Sequence, residues 1–438
     1  MKSNRAAAQP ARSSGHPPGP PKQRGSRRAS ALKLAAMLGL VVAIGPSAQA
    51  QTFTVLHSFA GYPTDGAIPI GGLLMDAAGN LYGTTTYGGS SSKSCGSGIG
   101  CGTVFKLDTK GNETILRNFA GPDGANPSGS LIMDAKGDLY GTTEYGGRLQ
   151  DCTGNGFAGC GVVFKLSGKK ETVLHRFCSV GNCTDGAAPW SGLVMDASGA
   201  LYGTTNYGGS VNGGAVFKLV GQKETVLHSF TGYPDGAYPE AGLIMDSKGT
   251  LYGTATYGGD FNCDDDGGCG VVFKIADKKE TILYSFKGSD NPGSRDGAYP
   301  AASLFMDESG NLYGTTADGG SSDSRGTVFE VSPGGKEHVL HRFTGQRDDG
   351  ARPQSRVIRD AAGNIYGTTL EGDAGDGTVF EISKDGKEKV LHNFCSEQNC
   401  ADGGYPVGDL IMDAKGNLYG TAYAGGANHN GTIFMITP

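Results

Sequence analysis

Carboxylate and imidazole side chains recur at two fixed positions of this 438-residue chain and could bind metal ions or transfer protons. One position holds Asp in seven copies: Asp76, Asp134, Asp196, Asp246, Asp307, Asp360 and Asp413. The other holds His in five copies, His57, His175, His228, His341 and His392, with Arg117 and Tyr284 in two others. Each Asp begins a D-x-x-G stretch, so we predict that it accepts backbone N–H groups in a tight turn. We predict that the dispersed histidines serve packing or hydrogen bonding rather than catalysis.

One irregular loop, residues 260–269, is the candidate for a metal site. Its residues Asn262, Asp264 and Asp266 alternate before Gly267, as oxygen ligands do in the first half of a calcium-binding loop. Phe273 stands where such a loop has its final Glu. A calcium site and an ordinary constrained loop are therefore both open, and we predict no other cofactor.

The cysteines fall into five close pairs after residue 50: Cys95/Cys101, Cys152/Cys160, Cys178/Cys183, Cys263/Cys269 and Cys395/Cys400. An even number of cysteines at short spacing in an exported chain predicts disulfides, and pairing between neighbours is the simplest connectivity. Zinc is the alternative, but it favours C-x-x-C spacing or nearby His, and these pairs have neither.

The elements that position these residues are short strands in a seven-fold repeat. The Tyr of an L/I-Y-G-T phrase recurs at Tyr82, Tyr140, Tyr202, Tyr252, Tyr313, Tyr366 and Tyr419. Each repeat holds four segments rich in β-branched and aromatic residues, bounded by Gly, Asp or Asn. This pattern predicts an all-β fold, a seven-bladed β-propeller with four antiparallel strands per blade.

The two ends of the repeat array predict how the ring closes. Residues 52–59, TFTVLHSF, match the fourth strand of a repeat, and the C-terminal GTIFMIT matches the third. We predict that the N-terminal strand completes the last blade, which leaves no exposed sheet edge. Residues 51–438 would then form a single propeller domain.

Strand alternation places the two variable loop classes on one face of the ring, and these loops carry the cysteine pairs. We therefore predict that this face binds the ligand. The loops after the second strand begin with a tyrosine in repeats one to four: Tyr87, Tyr145, Tyr207 and Tyr257. Trp190, the only Trp, would either stack on a sugar ring or anchor its loop.

Repeats five to seven carry charged residues where the other repeats have aromatic, small or apolar ones. We predict a polar patch at the mouth of the central channel, formed by Asp318, Arg352, Arg356, Arg359, Glu371 and Asp409. Arg356 and Asp409 occupy the same position of adjacent inner strands. A structural ion pair is therefore the alternative to a ligand-binding role.

The first 50 residues predict a secretory signal peptide. They contain eight Lys/Arg, no Asp or Glu, and an apolar run at 34–44. That run is too short to span a bilayer comfortably, so we expect cleavage rather than a retained anchor. The mature chain, with no transmembrane segment, then has 29 Lys/Arg against 43 Asp/Glu, which argues against nucleic acid as a partner. We expect a secreted or periplasmic monomer.

The phrase L-x-x-D-x-x-G-N-L-Y-G-T-T-x-x-G-G, followed by G-T-V-F-K-L and E-T-V-L-H-x-F, resembles the GloVer tandem-repeat family of exported bacterial proteins. The resemblance covers residues 52–437. It implies export and a repeat array, and it implies no established reaction and no catalytic residues. Family members carry varied C-terminal anchors, whereas this sequence ends on a strand-like segment, so we expect a freely released protein.

Catalytic motifs such as G-x-S-x-G and H-E-x-x-H do not occur in the sequence. We therefore predict an exported, non-catalytic propeller that binds an extracellular ligand, a glycan or a protein partner, on its cysteine-bearing face. One alternative is an extracellular polysaccharide hydrolase or lyase that uses loop carboxylates. The other is a structural cell-surface protein.

Overall fold

The recurring phrase folds each time into the same kind of sheet. A computed structural model describes residues 51–437, apart from 91–94, 96–98, 148–151, 155–156, 260–266, 289–294, 347 and 373–374. The predicted leader, Cys263 and the calcium candidates Asn262, Asp264 and Asp266 lie outside the described residues, so those predictions stand as they were made. Within the described part, no helix has the length and apolarity that a membrane span requires.

Seven four-stranded antiparallel sheets are present in the described residues, which confirms the seven-bladed β-propeller. The innermost strands are Leu74–Met75, Ile132–Met133, Val194–Met195, Ile244–Met245, Phe305–Met306, Ile358–Arg359 and Ile411–Met412. The second strands are Leu81–Thr85, Leu139–Thr143, Leu201–Thr205, Leu251–Ala255, Leu312–Thr316, Ile365–Thr369 and Leu418–Ala422. The third strands are Thr103–Leu107, Val162–Ser167, Ala215–Val220, Val271–Ala276, Thr327–Val331, Thr378–Ile382 and Thr432–Thr437. The outer strands are Glu113–Asn118, Lys170–Arg176, Lys223–Ser229, Lys279–Ser285, Glu337–Arg342, Glu388–Asn393 and Thr52–Ser58.

Short elements decorate the connections between these strands. Two-residue strands pair as Gly66–Ala67 with Tyr87–Gly88, Thr153–Gly154 with Phe157–Ala158, Gly236–Ala237 with Tyr257–Gly258, and Gly297–Ala298 with Asp318–Gly319. Single turns of 3-10 helix span Gly181–Cys183 and Gln398–Cys400.

The N-terminal strand closes the ring, as predicted. Thr52–Ser58 pairs antiparallel with Thr432–Thr437, so the first strand of the domain is the outer strand of blade 7. The hydroxyl of Thr421 in blade 7 also donates a hydrogen bond to the carbonyl oxygen of Gly71 in blade 1, at 3.1 Å. The two ends of the array are thus joined at the outer and the inner part of the ring.

The repeated Asp and the Tyr of the phrase form one turn. In blade 4, Asp246 Oδ1 accepts the backbone N–H groups of Lys248 and Thr250, each at 2.9 Å. The hydroxyl of Tyr252 donates to Asp246 Oδ2 at 3.2 Å. The same Tyr–Asp hydrogen bond is present in all seven blades. The prediction of a structural Asp is therefore confirmed.

The Gly and Thr of the phrase join the strands and the blades. A Cβ on Gly253 would lie 2.7 Å from Phe273 Cζ. Only glycine therefore leaves room for the Phe ring of the third strand to pack over the second strand. The Thr254 hydroxyl donates to the carbonyl oxygen of Ala302 in the next blade, at 3.1 Å. Within L-Y-G-T, the Leu packs in the core, the Tyr stabilises the Asp turn, the Gly leaves room for the Phe ring of the third strand, and the Thr joins neighbouring blades. Each blade therefore needs its own copy.

Phenylalanine pairs fill the blade interfaces. Phe230, which follows the outer strand of blade 3, packs edge-on against Phe273 of blade 4 with ring centroids 5.1 Å apart. The equivalent pairs are Phe59/Phe105, Phe119/Phe164, Phe177/Phe217, Phe286/Phe329, Phe343/Phe380 and Phe394/Phe434. These rings are almost completely buried and give each interface its apolar core.

Candidate functional site

The two faces of the propeller differ in exposed apolar surface. We call the side with the fourth-to-first and second-to-third connections the loop face, and the side with the short turns the hairpin face. The large hydrophobic residues exposed in the described chain are Tyr62, Ile99, Val180, Trp190, Tyr207, Val211, Tyr233 and Val220. All but Val220 lie in connections of the loop face, which is the distribution expected of a binding surface.

Each blade presents two variable residues on the loop face, and together we call these the rim. One lies in the connection from the outer strand of one blade to the innermost strand of the next, which reads D-G-A-x-P in six copies and D-G-G-Y-P in the last, and is the residue before the Pro. The other follows the second strand by two positions. The rim consists of Ile68, Tyr87, Asn126, Tyr145, Ala188, Tyr207, Tyr238, Tyr257, Tyr299, Asp318, Arg352, Glu371, Tyr405 and Ala424. Backbone bridges hold the two parts of each blade's rim together, for example Ala237 against Tyr257.

The rim residue before Pro has left-handed backbone in every blade. The φ angles are 59° at Ile68, 56° at Asn126, 53° at Ala188, 53° at Tyr238, 59° at Tyr299, 54° at Arg352 and 55° at Tyr405. This conformation is unfavourable for residues with a Cβ, and most of all for β-branched Ile. Glycine would relieve the strain, yet all seven positions keep a side chain.

Backbone hydrogen bonds explain why this conformation is constant. The N–H of Tyr238 donates to the carbonyl of Gly213 in the preceding blade at 2.8 Å, and its carbonyl accepts the N–H of Thr256 in its own blade at 3.3 Å. The other six positions make the corresponding pair of bonds. Because these bonds use only the backbone, the side chain is free to vary from blade to blade. The rim is therefore a fixed backbone frame whose side chains vary from blade to blade in type and in exposure.

Four rim tyrosines form a continuous surface on blades 3 to 5, which we call the tyrosine arc. The ring centroids of Tyr207 and Tyr238 are 5.6 Å apart, those of Tyr238 and Tyr257 are 5.8 Å apart, and those of Tyr257 and Tyr299 are 5.3 Å apart. Tyr207 is 45% exposed. Tyr238 and Tyr299 were not predicted as site residues, although their place in the repeated D-G-A-x-P motif was a signal for them.

The other predicted aromatic residues have different surroundings. Tyr87 and Tyr145 pack against the core around the Cys95–Cys101 disulfide and are half-buried. Trp190 is 41% exposed. It lines a cavity of about 90 Å³ at the mouth of the central channel, together with Glu240 and Gln354. Of the five predicted aromatic residues, Trp190 and Tyr207 thus offer the most surface to a ligand.

Three of the six predicted patch residues form an ion-pair network on blades 5 and 6. Arg352 Nε lies 3.5 Å from Asp318 Oδ1 and 3.7 Å from Glu371 Oε1. Arg325, which was not predicted, donates from Nη1 to Glu371 Oε2 at 3.0 Å. Burial raises the pKa of Asp318 above its ordinary value, and the charge of Arg352 offsets only part of this rise. This charged part of the rim follows directly on the tyrosine arc.

Arg356 and Asp409 lie together on the inner strands but serve the blade interface. The backbone N–H of Arg356 donates to Asp409 Oδ1 at 2.8 Å, and its Nε is 3.7 Å from Oδ2. Other blades make the same link with Ser, since Gly242 N–H donates to Ser303 Oγ at 3.0 Å. The geometry thus matches the structural alternative. The pair borders a channel cavity of about 370 Å³ that is lined mainly by Leu, Ile and Met.

Arg359 is not part of the same patch. It pairs with Ile365 at the start of the second strand, whereas Glu371 follows the end of that strand. Its guanidinium reaches Asp307 Oδ2 at 3.4 Å and lies over the ring of Tyr313. Arg359 therefore belongs to the hairpin face. The prediction of one six-residue patch is wrong in its geometry, because the sequence did not reveal which end of the innermost strand each position occupies.

The His position of each outer strand pairs with the Asp of the following D-G-A-x-P connection. In blade 3, His228 Nε2 lies 3.2 and 3.1 Å from the two carboxylate oxygens of Asp235. The equivalent pairs are His57/Asp65, Arg117/Asp123, His175/Asp185, Tyr284/Asp296, His341/Asp349 and His392/Asp402. The histidines are dispersed and their partners are structural, in agreement with the prediction.

A glutamate from the next blade faces six of these pairs. These are the Glu residues that open the E-T-V-L-H phrase: Glu113, Glu171, Glu224, Glu280, Glu337 and Glu388. Each has one buried carboxyl oxygen without a hydrogen-bond partner in the described residues. Burial, and then the charge of Asp235, raises the pKa of Glu280 to about 7. At the seventh interface Phe53 replaces the Glu and stacks on His392, with centroids 3.7 Å apart.

Two of these interface clusters are compact enough for a metal ion. The ligand atoms of His57, Asp65 and Glu113 lie within 4.8 Å of one another, as do those of the equivalent cluster around His228. However, Arg117 stands in the place of the His in the next cluster and preserves the same interface without imidazole. The repeat therefore indicates a structural role for these clusters.

For four disulfides both cysteines lie within the described residues, and each of these disulfides joins cysteines that are neighbours in the sequence, as predicted. They are Cys95–Cys101, Cys152–Cys160, Cys178–Cys183 and Cys395–Cys400. The second and third lie side by side, with their four sulfur atoms within 4.8 Å of one another. Because cysteines bonded in disulfides are not thiolates, this cluster offers no zinc ligands in this state. The disulfides constrain connections of the loop face.

The fifth predicted pair, Cys263–Cys269, can be followed only from Cys269, since Cys263 lies outside the described residues. Cys269 is disulfide-bonded and completely buried in the apolar core between blades 4 and 5. Its backbone carbonyl accepts the N–H of Tyr299 at 2.9 Å, which ties it to the rim of blade 5. The expectation that Cys269 forms a disulfide is therefore confirmed, whereas its pairing with Cys263 stays a prediction.

The sequence profile of the Gloeobacter/Verrucomicrobia repeat matches residues 33–265 and 263–438. The chain belongs to this family. The match spans the propeller and agrees with the resemblance seen in the repeated phrase. No curated protein sequence matches the chain significantly. The family assignment therefore establishes the kind of repeat and leaves the function to be argued from the site.

Two solved structures illustrate the fold. The extracellular domain of a protein described as a one component system from B. thetaiotaomicron has 10% identity and a TM-score of 0.53, covering 87% of this chain and 39% of that one. The extracellular domain of a hybrid two component system from the same organism has 13% identity and a TM-score of 0.50, covering 88% of this chain and 41% of that one. The chain thus spans about two fifths of either protein. At these identities the likeness concerns the fold alone.

Proposed function

We propose that the protein is an exported, non-catalytic propeller that binds an extracellular ligand, a glycan or a protein partner, on its loop face. The observation that carries this proposal is the rim, where seven strained residues keep variable side chains on an otherwise repeated backbone. Strained positions of this kind concentrate at sites that position a ligand. The disulfides of the same face support an oxidising compartment.

Binding is favoured over hydrolysis by the arrangement of Asp318 and Glu371, the carboxylates predicted for the alternative hydrolase or lyase. Arg352 lies between Asp318 and Glu371, and Arg325 holds the other side of Glu371. This is an ion-pair network and not an acid and a base that face a substrate across a gap. The exposed aromatic and aliphatic residues of the loop face instead suit recognition of a surface.

An array of glycans and small metabolites, probed with the oxidised domain, tests this proposal. The expected result is a ligand whose binding weakens when Tyr207 or Arg352 is replaced by Ala. The matched control is Val220→Ala, which removes an exposed apolar side chain from the hairpin face. A ligand that is lost with the control and kept by both rim variants would refute the proposal.

A further inference from the structure

Polar side chains accompany the rim tyrosines of blades 1 to 4. The residue directly before the tyrosine is Thr86, Glu144, Asn206 or Thr256 in these blades. In blades 5 to 7 the same position holds Ala317, Leu370 or Tyr423. At the rim position after the second strand, a polar neighbour therefore accompanies each Tyr, whereas Ala, Leu or Tyr precedes the Asp, Glu or Ala of the other blades. This coincidence points to a ligand that needs both kinds of contact.

Two of these polar groups and one rim residue are buried without a partner among the described residues. Asn206 is 4% exposed, and its Oδ1 has no hydrogen-bond partner among the described residues. Asn126, a rim residue of blade 2, is 1% exposed, and its Oδ1 is also unpartnered there. The hydroxyl oxygen of Thr86 shares this state. Native proteins leave few such groups unsatisfied, and a ligand-binding site is one place where they occur.

Two partly buried glutamates flank the exposed end of the tyrosine arc. Burial raises the pKa of Glu144 and of Glu240. The phenol of Tyr207 has a raised pKa, caused first by burial and then by the nearby charges of Glu240, Tyr238 and Glu144. Glu240 also shares the cavity at the channel mouth with Trp190. Glu144 of blade 2 and Glu240 of blade 4 thus belong to the two blades that neighbour Tyr207 in blade 3.

The charge of this sector restricts the ligand class. The rim positions of blades 1 to 4 contain no Lys or Arg, whereas Arg352 lies in blade 6. An anionic ligand would find no positive partner at these rim positions and would be repelled by ionised Glu144 and Glu240. A ligand with flat apolar faces and many neutral hydroxyl groups would satisfy the tyrosine rings and the carboxyl groups together.

We propose that the sector of the loop face around Tyr207, Glu144 and Glu240 binds a neutral carbohydrate. Sugar rings stack on Tyr207 and the adjacent tyrosine arc, and sugar hydroxyls donate hydrogen bonds to the two carboxyl groups. The charged part of the rim around Arg352 is not needed for this contact. The inference rests on the proposed function, because it specifies the ligand of the same face.

Calorimetric titration of the oxidised domain with soluble neutral oligosaccharides tests the inference. We expect Tyr207→Ala to weaken binding by at least about fivefold, and Tyr207→Phe, which keeps the ring, to change it by less than about twofold. Glu240→Gln should weaken binding by about fivefold through loss of the charged acceptor. Val220→Ala, which changes an exposed side chain of the hairpin face, is the control and should change the affinity by less than about twofold.

The outcomes separate this inference from the proposed function. Failure of all neutral oligosaccharides to bind at about 10 mM would overturn the carbohydrate assignment. Equal affinity of Tyr207→Ala and the unmodified domain would overturn it as well. If a peptide or an anionic ligand binds instead and Arg352→Ala weakens it, the loop face remains the binding face and only the ligand class is wrong. If no rim variant affects the ligand found, both proposals fail.

Discussion

The glutamates at the blade interfaces predict that this propeller becomes less stable as the pH rises from about 5 to about 8. The pKa of Glu280 is raised to about 7, and Glu224, Glu337 and Glu388 behave alike. A raised folded-state pKa means that the protonated form is favoured by folding. The stability that it contributes is complete below the unfolded-state value and is lost as the pH rises through about 7.

The magnitude follows from the difference between the two pKa values. A rise from 4.5 to about 7 at Glu280 corresponds to at most about 3 to 4 kcal/mol. Solvent screening of a partly exposed carboxyl reduces this, and we take about 1 kcal/mol per glutamate. Asp235, which faces Glu280, has a lowered pKa. The stability that its carboxylate contributes is therefore lost only at a pH below the ordinary pKa of an Asp. The lowered pKa of His392, caused by burial, opposes the trend only below about pH 6.5.

Urea unfolding of the oxidised domain and of a Glu280→Gln variant measures this effect. Gln resembles the protonated acid, so the variant should be more stable than the unmodified domain by about 1 kcal/mol at about pH 8 and within about 0.5 kcal/mol of it at about pH 5. Glu308→Gln, at an exposed turn of the hairpin face, is the control and should be neutral at both pH values. Stability that is constant or increases across this range would refute the reasoning, and so would a Glu280→Gln variant that is equally destabilised at both pH values.

Two further predictions concern packing and closure. Gly253→Ala should destabilise the domain by about 1–3 kcal/mol in urea unfolding, because its Cβ would meet Phe273 at 2.7 Å; Gly181→Ala, whose Cβ would meet nothing within 4 Å, should be neutral. Thr421→Val should cost about 1 kcal/mol and increase proteolysis of the N-terminal strand, because it removes the hydrogen bond to Gly71 that joins blades 7 and 1. Equal effects of the two glycine variants, or unchanged protease sensitivity of Thr421→Val, would contradict these expectations.

The fold was predictable because its determinants lie within each repeat. The Asp246 turn, the tight glycine at Gly253 and the match of residues 52–59 to an outer strand could all be read from local sequence. Seven copies made each of these patterns unambiguous. The contact of Thr254 with Ala302 could not be read, because it depends on how one blade stacks on the next.

The site was only partly predictable, because it too depends on how neighbouring blades are arranged. Tyr207 and Tyr257 were found because they follow a strand in a variable loop. Tyr238 and Tyr299 were missed because they reach the same surface from a motif of the following blade, through a left-handed backbone that the sequence does not show. Arg359 was placed on the wrong face because charge pattern alone does not specify the end of a strand.

Hydrogen–deuterium exchange with and without the most tightly bound oligosaccharide tests the central claim most directly. Binding on the rim should slow exchange at the backbone amides of the loop face, for example at Tyr238, Thr256 and Tyr257, and leave the hairpin-face turn at Lys248 and Thr250 unchanged. Slowed exchange at the hairpin-face turns with an unaffected rim would contradict the account.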